Sequence, residues 1–151
     1  EAPKTMPAFA VQAGLPRDEA QTEALINDLV AYTEAHPTDL NALLLLSGLA
    51  LDSGDKKRAE AVLVDALTVS PGNPFVLNNL ALARQERDPE GAMSLAEKAF
   101  RLSDQNPSIT ETYADFLMRN RNVEKALRLV RRARLSAPLD EGLAGWSRTP
   151  R

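Results

Sequence analysis

The sequence predicts an all-α fold, a solenoid of antiparallel helix pairs stacked one after another. Three observations predict it. Leu and Ala dominate a 44% hydrophobic content while aromatics supply only 5%. That composition favours helices, because strands draw on β-branched and aromatic residues. Alanines seven apart recur as Ala59/Ala66, Ala92/Ala99 and Ala126/Ala133, with offsets of 33 and then 34 residues. Helix breakers fall around them at Gly54, Pro71-Gly72-Asn73-Pro74, Pro89, Pro107 and Pro138. A two-helix unit recurring near every 34 residues is the signature of a stacked repeat.

Residues 1–16 contain Pro3, Pro7 and Pro16, and each disfavours helical geometry in the residue before it. This predicts an extended N-terminal segment, ahead of one helical domain over residues 17–148. Met6, Phe9, Val11 and Leu15 nonetheless give the segment more apolar surface than a solvated linker needs. Asp18 and Glu19 suit a helix start, where exposed amides favour acids. That helix runs to Ala35 on the stripe Leu25, Leu29 and Tyr32, and His36-Pro37 ends it.

Thr38 or Asp39 caps a helix over 39–53, which Ser53-Gly54 closes. Helices are expected next over 56–69, 74–87, 89–102, 107–120 and 123–136, each bounded by Pro, Gly, Asn or Asp. Leu139, Leu143 and Trp146 stand at helical spacing and predict a C-terminal cap over about 140–147.

Within each unit the first helix carries large, small and apolar residues at fixed places, and the second carries a pair of Ala seven apart, with a large residue between them and a Pro after them in the first and third units. Leu43, Leu46, Ser47 and Ala50 are followed by Ala59, Leu63, Ala66 and Pro71. Leu77, Leu80 and Ala81 are followed by Ala92, Ala96 and Ala99, with Asp104 where Pro would fall. Thr110, Tyr113, Ala114 and Leu117 are followed by Ala126, Val130, Ala133 and Pro138. Ser47, Ala81 and Ala114 are the small residues that close helix approach requires. This pattern resembles the tetratricopeptide repeat family. The resemblance implies a right-handed array of three full repeats, about 40–73, 74–106 and 107–140, preceded by a helix that looks like the second half of a repeat. The family's large aromatics are mostly Leu or Ala here, and the middle repeat is one residue short around Gln85–Pro89.

The resemblance also implies where a partner lies, along the concave face made by the first helix of each repeat. Carried over residue by residue, that face takes Asn41, Leu44, Leu45, Gly48, Leu51 and Asp52 from the first repeat. From the second it takes Phe75, Asn78, Asn79, Leu82, Gln85 and Glu86, and from the third Glu111, Asp115 and Met118 with Ser108, Thr112 and Arg119. Leu44, Leu45 and Leu51 exceed what one repeat's core needs, so either the chain's own N-terminal residues or a partner must cover them. Asn78 and Asn79 can hold an extended peptide by its backbone. Family members that grip a terminal carboxylate use Lys and Arg where this chain has acids. The expected ligand is therefore an extended or helical protein segment, apolar with neutral or basic flanks.

The charge of −3 divides unevenly. Residues 1–70 carry 5 Lys/Arg against 11 Asp/Glu, and residues 71–151 carry 13 against 10. Arg121, Lys125, Arg128, Arg131 and Arg132, with Arg119 and Arg134, form a basic patch in the third repeat. As a solvated face it needs no partner. As a dock it would serve an acidic protein or an anionic surface, while the acidic pI near 5.2 and scarce aromatics disfavour nucleic acid.

No catalytic role, cofactor or metal is expected. The single His36 lies at a helix end and there is no Cys, so the common zinc sets are missing. The glycines are scattered rather than clustered in a phosphate loop. The expectation is a non-catalytic adaptor within an assembly or secretion-type complex, with two alternatives: a self-associating scaffold, and an electrostatic tether to nucleic acid or an anionic surface through the third repeat. No apolar run is long enough to span a bilayer. A chain beginning at Glu1 is expected to have lost an upstream segment, which leaves any membrane attachment and the compartment open. A bacterial envelope or periplasm is favoured over the cytoplasm.

Overall fold

Caps and prolines set the helix boundaries. The structure, a computed structural model, describes residues 5–136. Those residues form α1 (Met6–Ala13), α2 (Glu19–Ala35), α3 (Leu40–Asp52), α4 (Lys56–Val69), α5 (Pro74–Arg84), α6 (Pro89–Leu102), α7 (Pro107–Arg119) and α8 (Val123–Ser136), with no strand among them. Every helix from α2 to α7 begins on an Asp or Asn whose side chain accepts a first-turn amide. Asp18 does so in a reciprocal capping box with Gln21, followed by Asp39, Asp55, Asn73, Asp88 and Asn106. Between Thr38 and Asp39, the cap of α3 is Asp39. Gly54 turns the chain from α3 into α4 at φ +82, where a side chain would be strained.

Two boundaries differ from expectation. Residues 6–13 are helical, not extended. Pro7 sits in the first turn of α1, where its missing N–H leaves no bond unmade, and Pro16 lies beyond the C-cap at Gly14. The prolines bracket the helix instead of breaking it. Residues 85–87, expected to continue the fourth predicted helix, form a turn closed by Asp88 N donating to Arg84 O at 2.8 Å. The missing residue of the middle repeat comes out of the end of α5, which has 11 residues against 13 in α3 and α7. Asp88 must also leave helical geometry, because it precedes Pro89 and caps α6.

Consecutive helices pack antiparallel, and the odd-numbered helices also touch one another: α1 on α3, α3 on α5, α5 on α7. α1 therefore occupies the place of a first helix, and α1–α2 is a further helix pair rather than a lone helix behind a linker. The register agrees. Phe9, Ala13, Leu25, Leu29 and Pro37 each stand 34 residues before Leu43, Ser47, Ala59, Leu63 and Pro71. Phe9 is 1% exposed and packs with Leu25, Ile26, Leu29, Leu46 and Leu49. Burying such a side chain stabilises by roughly 1.5–3 kcal/mol.

The core is continuous. Leu43, Ala59, Leu63, Ala66 and Leu80 fill the space between α3, α4 and α5. Ala81, Ala92, Tyr113, Leu117 and Ala126 do the same from α5 to α8. Ser47, Ala81 and Ala114 are wholly buried, as close helix approach requires. The expected cap over 140–147, with Leu139, Leu143 and Trp146, lies outside the described residues, as does the side chain of Arg134.

Candidate binding face and basic cleft

Register carries the expected groove residues onto one face of the odd-numbered helices. Leu44, Asn78 and Glu111 are equivalent, as are Leu45, Asn79 and Thr112, then Gly48, Leu82 and Asp115, then Leu51, Gln85 and Met118. The three surplus leucines are half-buried and engaged. Leu45 packs against the cluster containing Phe9 and Leu29, while Leu44 and Leu51 pack against the cluster containing Val76 and Leu80. Neighbouring helices of the chain itself thus supply the cover the sequence demanded.

What stays open on this face is mixed. A Cβ at Gly48 would meet nothing within 4 Å. Phe75 is 46% exposed and Met118 is exposed too, while Asn79 and Leu82 are half-buried. Asn78 lies deeper, at 6% exposure. Its Nδ2 donates to Asn79 Oδ1 at 3.3 Å, and its own Oδ1 has no hydrogen-bond partner among the described residues.

The acids at the far end are partly neutralised. Glu86 pairs with Lys56 at 2.5 Å, and this hydrogen bond holds its carboxyl below the usual range. Asp115 pairs with Arg119 at 2.6 Å, and Glu111 also has a partner. Gln85, Phe116 and Arg119 line a pocket of about 280 Å³ there. Asn41 is exposed in the first turn of α3. Asp52 sits apart from the other groove residues, in a cleft of about 410 Å³ with Arg17, Glu19 and Glu23.

The basic patch divides in two. Arg121 and Arg131 are exposed, the former at the turn before α8 with φ +59. Lys125, Arg128 and Arg132 instead converge with Arg101 on a cleft between α6, α7 and α8. Phe100 and Tyr113 stack in that cleft with centroids 5.1 Å apart, and Lys125 Nζ lies 5.4 Å above the Tyr113 ring. Lys125 also reaches Glu97 at 3.4 Å. The Tyr113 hydroxyl makes no hydrogen bond of standard geometry among the described residues, yet it is close enough to affect both charges. Tyr113 and Glu97 hold the Lys125 ammonium above its usual range against the effect of burial. Burial opposes ionisation of Glu97, but Lys125, Tyr113 and Arg101 outweigh it and hold the carboxyl below its usual range.

Sequence reading missed Phe100 and Arg101 as parts of this cleft, and Thr110 as part of the one adjoining it. A signal was present: Thr110 stands where register puts Leu43 and Leu77 in the preceding repeats. His36 has a structural place. Its ring stacks on Tyr32 at 4.2 Å, and its Nδ1 lies 3.0 Å from Tyr32 O. Among the described residues no group of three or more His, Asp or Glu side chains is placed to hold a metal, and no helix is long and apolar enough to cross a membrane.

Comparison with known proteins agrees with this geometry. The tetratricopeptide repeat family profile matches residues 83–145. Over those residues the chain is similar to tetratricopeptide repeats in sequence. No curated protein matches it at a significant level. Solved structures extend the likeness over nearly the whole array. A thermophilic TPR protein from Thermus thermophilus is similar with a TM-score of 0.78 at 19% identity, over 92% of this chain and 75% of that one. MamA from Desulfovibrio magneticus RS-1, from residue 41 to its end, is similar with a TM-score of 0.72 at 15% identity, over 89% and 75%. YrrB, described as a TPR protein with an unusual peptide-binding site, has a TM-score of 0.65 at 12% identity, over 91% and 70%. At such identities the likeness is one of fold. Tetratricopeptide arrays serve in general as protein-interaction scaffolds, and the match over residues 83–145 supports a role of that general kind.

Proposed function

We propose that the chain is a non-catalytic adaptor that binds an extended, apolar segment of another protein across the first helices of its repeats. The observation that carries this reading is the Asn78–Asn79 pair. Asn78 is nearly buried and ties down the Asn79 amide oxygen, leaving the Asn79 amide nitrogen to donate to an incoming backbone carbonyl. Phe75 and Leu82 flank Asn79 at helical spacing and offer apolar contact on both sides. The open surface over Gly48 admits a chain close to α3. This face has no cluster of free cations to grip a terminal carboxylate, so the segment binds by its middle, with neutral or basic flanks.

Peptides selected from a display library on the whole chain test the reading. Apolar, uncharged or basic-flanked sequences should be enriched, and Asn79→Ala should weaken the best of them about tenfold, the effect of one or two lost hydrogen bonds. If Asn79→Ala and Phe75→Ser both bind as tightly as the parent chain, the segment lies elsewhere and the reading fails.

A further inference from the structure

The cleft between α6, α7 and α8 borders a core position whose residue differs in kind from its counterparts. Leu43 and Leu77 plug the equivalent places in the two preceding repeats and are buried. Thr110 is just as buried, at 1% exposure, but it is smaller, and its hydroxyl has no hydrogen-bond partner among the described residues. A buried hydroxyl left unpaired is destabilising. Beside it opens a cleft of about 280 Å³ lined by Phe100, Arg101, Leu129, Arg132 and Ala133. At the rim, Asp104 and Gln105 adopt left-handed φ values of +47 and +63, a strained pair in the α6–α7 connection.

A second cleft of about 260 Å³ shares Phe100, Arg101, Leu129 and Arg132 with the first and continues past Tyr113, Lys125 and Arg128. The two form one trough with an apolar floor and four cations, against the carboxylates of Glu97 and Asp104. Glu97 is already taken by Lys125. The trough is thus locally basic in an acidic protein, and it is longer than a single small anion fills. Its aromatic rings stack on each other, which leaves little platform for bases.

We propose that this trough is a second binding site, taking an acidic segment of a partner protein with one apolar side chain seated between Phe100, Thr110 and Leu129. Carboxylates on either side of that anchor meet Arg101 and Arg128, and charge-assisted hydrogen bonds fix the segment's direction. The site differs from the face on α3, α5 and α7 in position and in the charge of its ligand, so either can fail without the other.

The test uses the whole chain and a fluorescein-labelled, acetylated peptide Asp-Glu-Leu-Asp-Glu, followed by anisotropy. Thr110→Leu restores the residue type of the earlier repeats, so it should fold and melt higher than the parent. It should nonetheless weaken the probe about tenfold by filling the anchor pocket. Arg101→Glu with Arg128→Glu should weaken it at least as much, and a probe with Gly in place of its Leu should bind several-fold less tightly. Asn79→Ala should leave the probe's affinity unchanged. The proposal is overturned by no saturable binding at low salt, or by a Thr110→Leu chain that binds like the parent. It is equally overturned if the Gly probe binds as well as the Leu probe, which would mean a general anion surface, or if Asn79→Ala alone abolishes binding.

Discussion

Ala66 is wholly buried at a helix crossing, while Ala61 on the same helix is exposed. The two are chemically identical, and only their place in the 34-residue register separates them. Ala66→Phe forces α4 away from its neighbours and should cost about 1–3 kcal/mol by overpacking. Ala61→Phe meets solvent and should stay within about 0.5 kcal/mol of the parent. Urea denaturation of both variants measures this, and equal midpoints would mean that the register is misplaced. The same contrast holds for polar groups. Ser47 resolves its burial by donating to Leu44 O at 2.9 Å, whereas the Thr110 hydroxyl finds no such partner among the described residues. Burial of a hydroxyl is ordinary; burial without a bond is the observation that singles out the cleft.

At the scale of the element, α1 is the clearest lesson. Its eight residues are too few to hold a helix alone in water. Phe9 holds it, set edge-on against Tyr32 at 5.3 Å and enclosed by α2 and α3. Phe9→Ala should therefore cost about 3–5 kcal/mol, with a cavity left behind. In a stacked array, where each unit touches only its neighbours, that loss stays local. Hydrogen exchange should quicken in α2 and α3 and hardly change in α7. Equal acceleration in α7 would show that the array unfolds as one unit. α1 is thereby part of the first helix pair, not a displaceable plug over the groove. Ion pairs add register between units, among them Arg84 Nε to Glu60 at 2.8 Å and Arg58 to Glu23 at 3.4 Å, each a small contribution at these exposures.

For the whole molecule, the shifted groups define a pH window. Glu86 and Glu97 are held below their ordinary value of 4.5, so the stability they contribute is present above that pH and lost as pH falls through their folded values. Lys125 is held above its ordinary value of 10.5, so its contribution is present below that pH and lost as pH rises through the folded value. Stability from these groups should be flat between about pH 6 and 9 and decline outside it, modestly and less steeply in high salt, because the groups are largely exposed. Urea midpoints across pH for the parent and Glu97→Gln measure it. An acid limb unchanged in Glu97→Gln would remove Glu97 from the account.

By itself the sequence determined the helix pairs and their period, because breakers, caps and small residues act locally and recur at fixed offsets. The caps Asp18 and Asp39, the latter beside Thr38, and the buried Ala59, Ala66, Ala92 and Ala99 were legible in this way. So was the face shared by Asn79 and Leu82, which follows from register alone. Tertiary structure decided the rest. It made a helix of residues 6–13, because only burial of Phe9 outweighs the weak helical tendency of a short, proline-flanked segment. It covered Leu44, Leu45 and Leu51 with neighbours from the same chain. It also drew Arg101 from α6 to Arg128 and Arg132 of α8 around the space beside Thr110, a convergence of helices that no local pattern encodes.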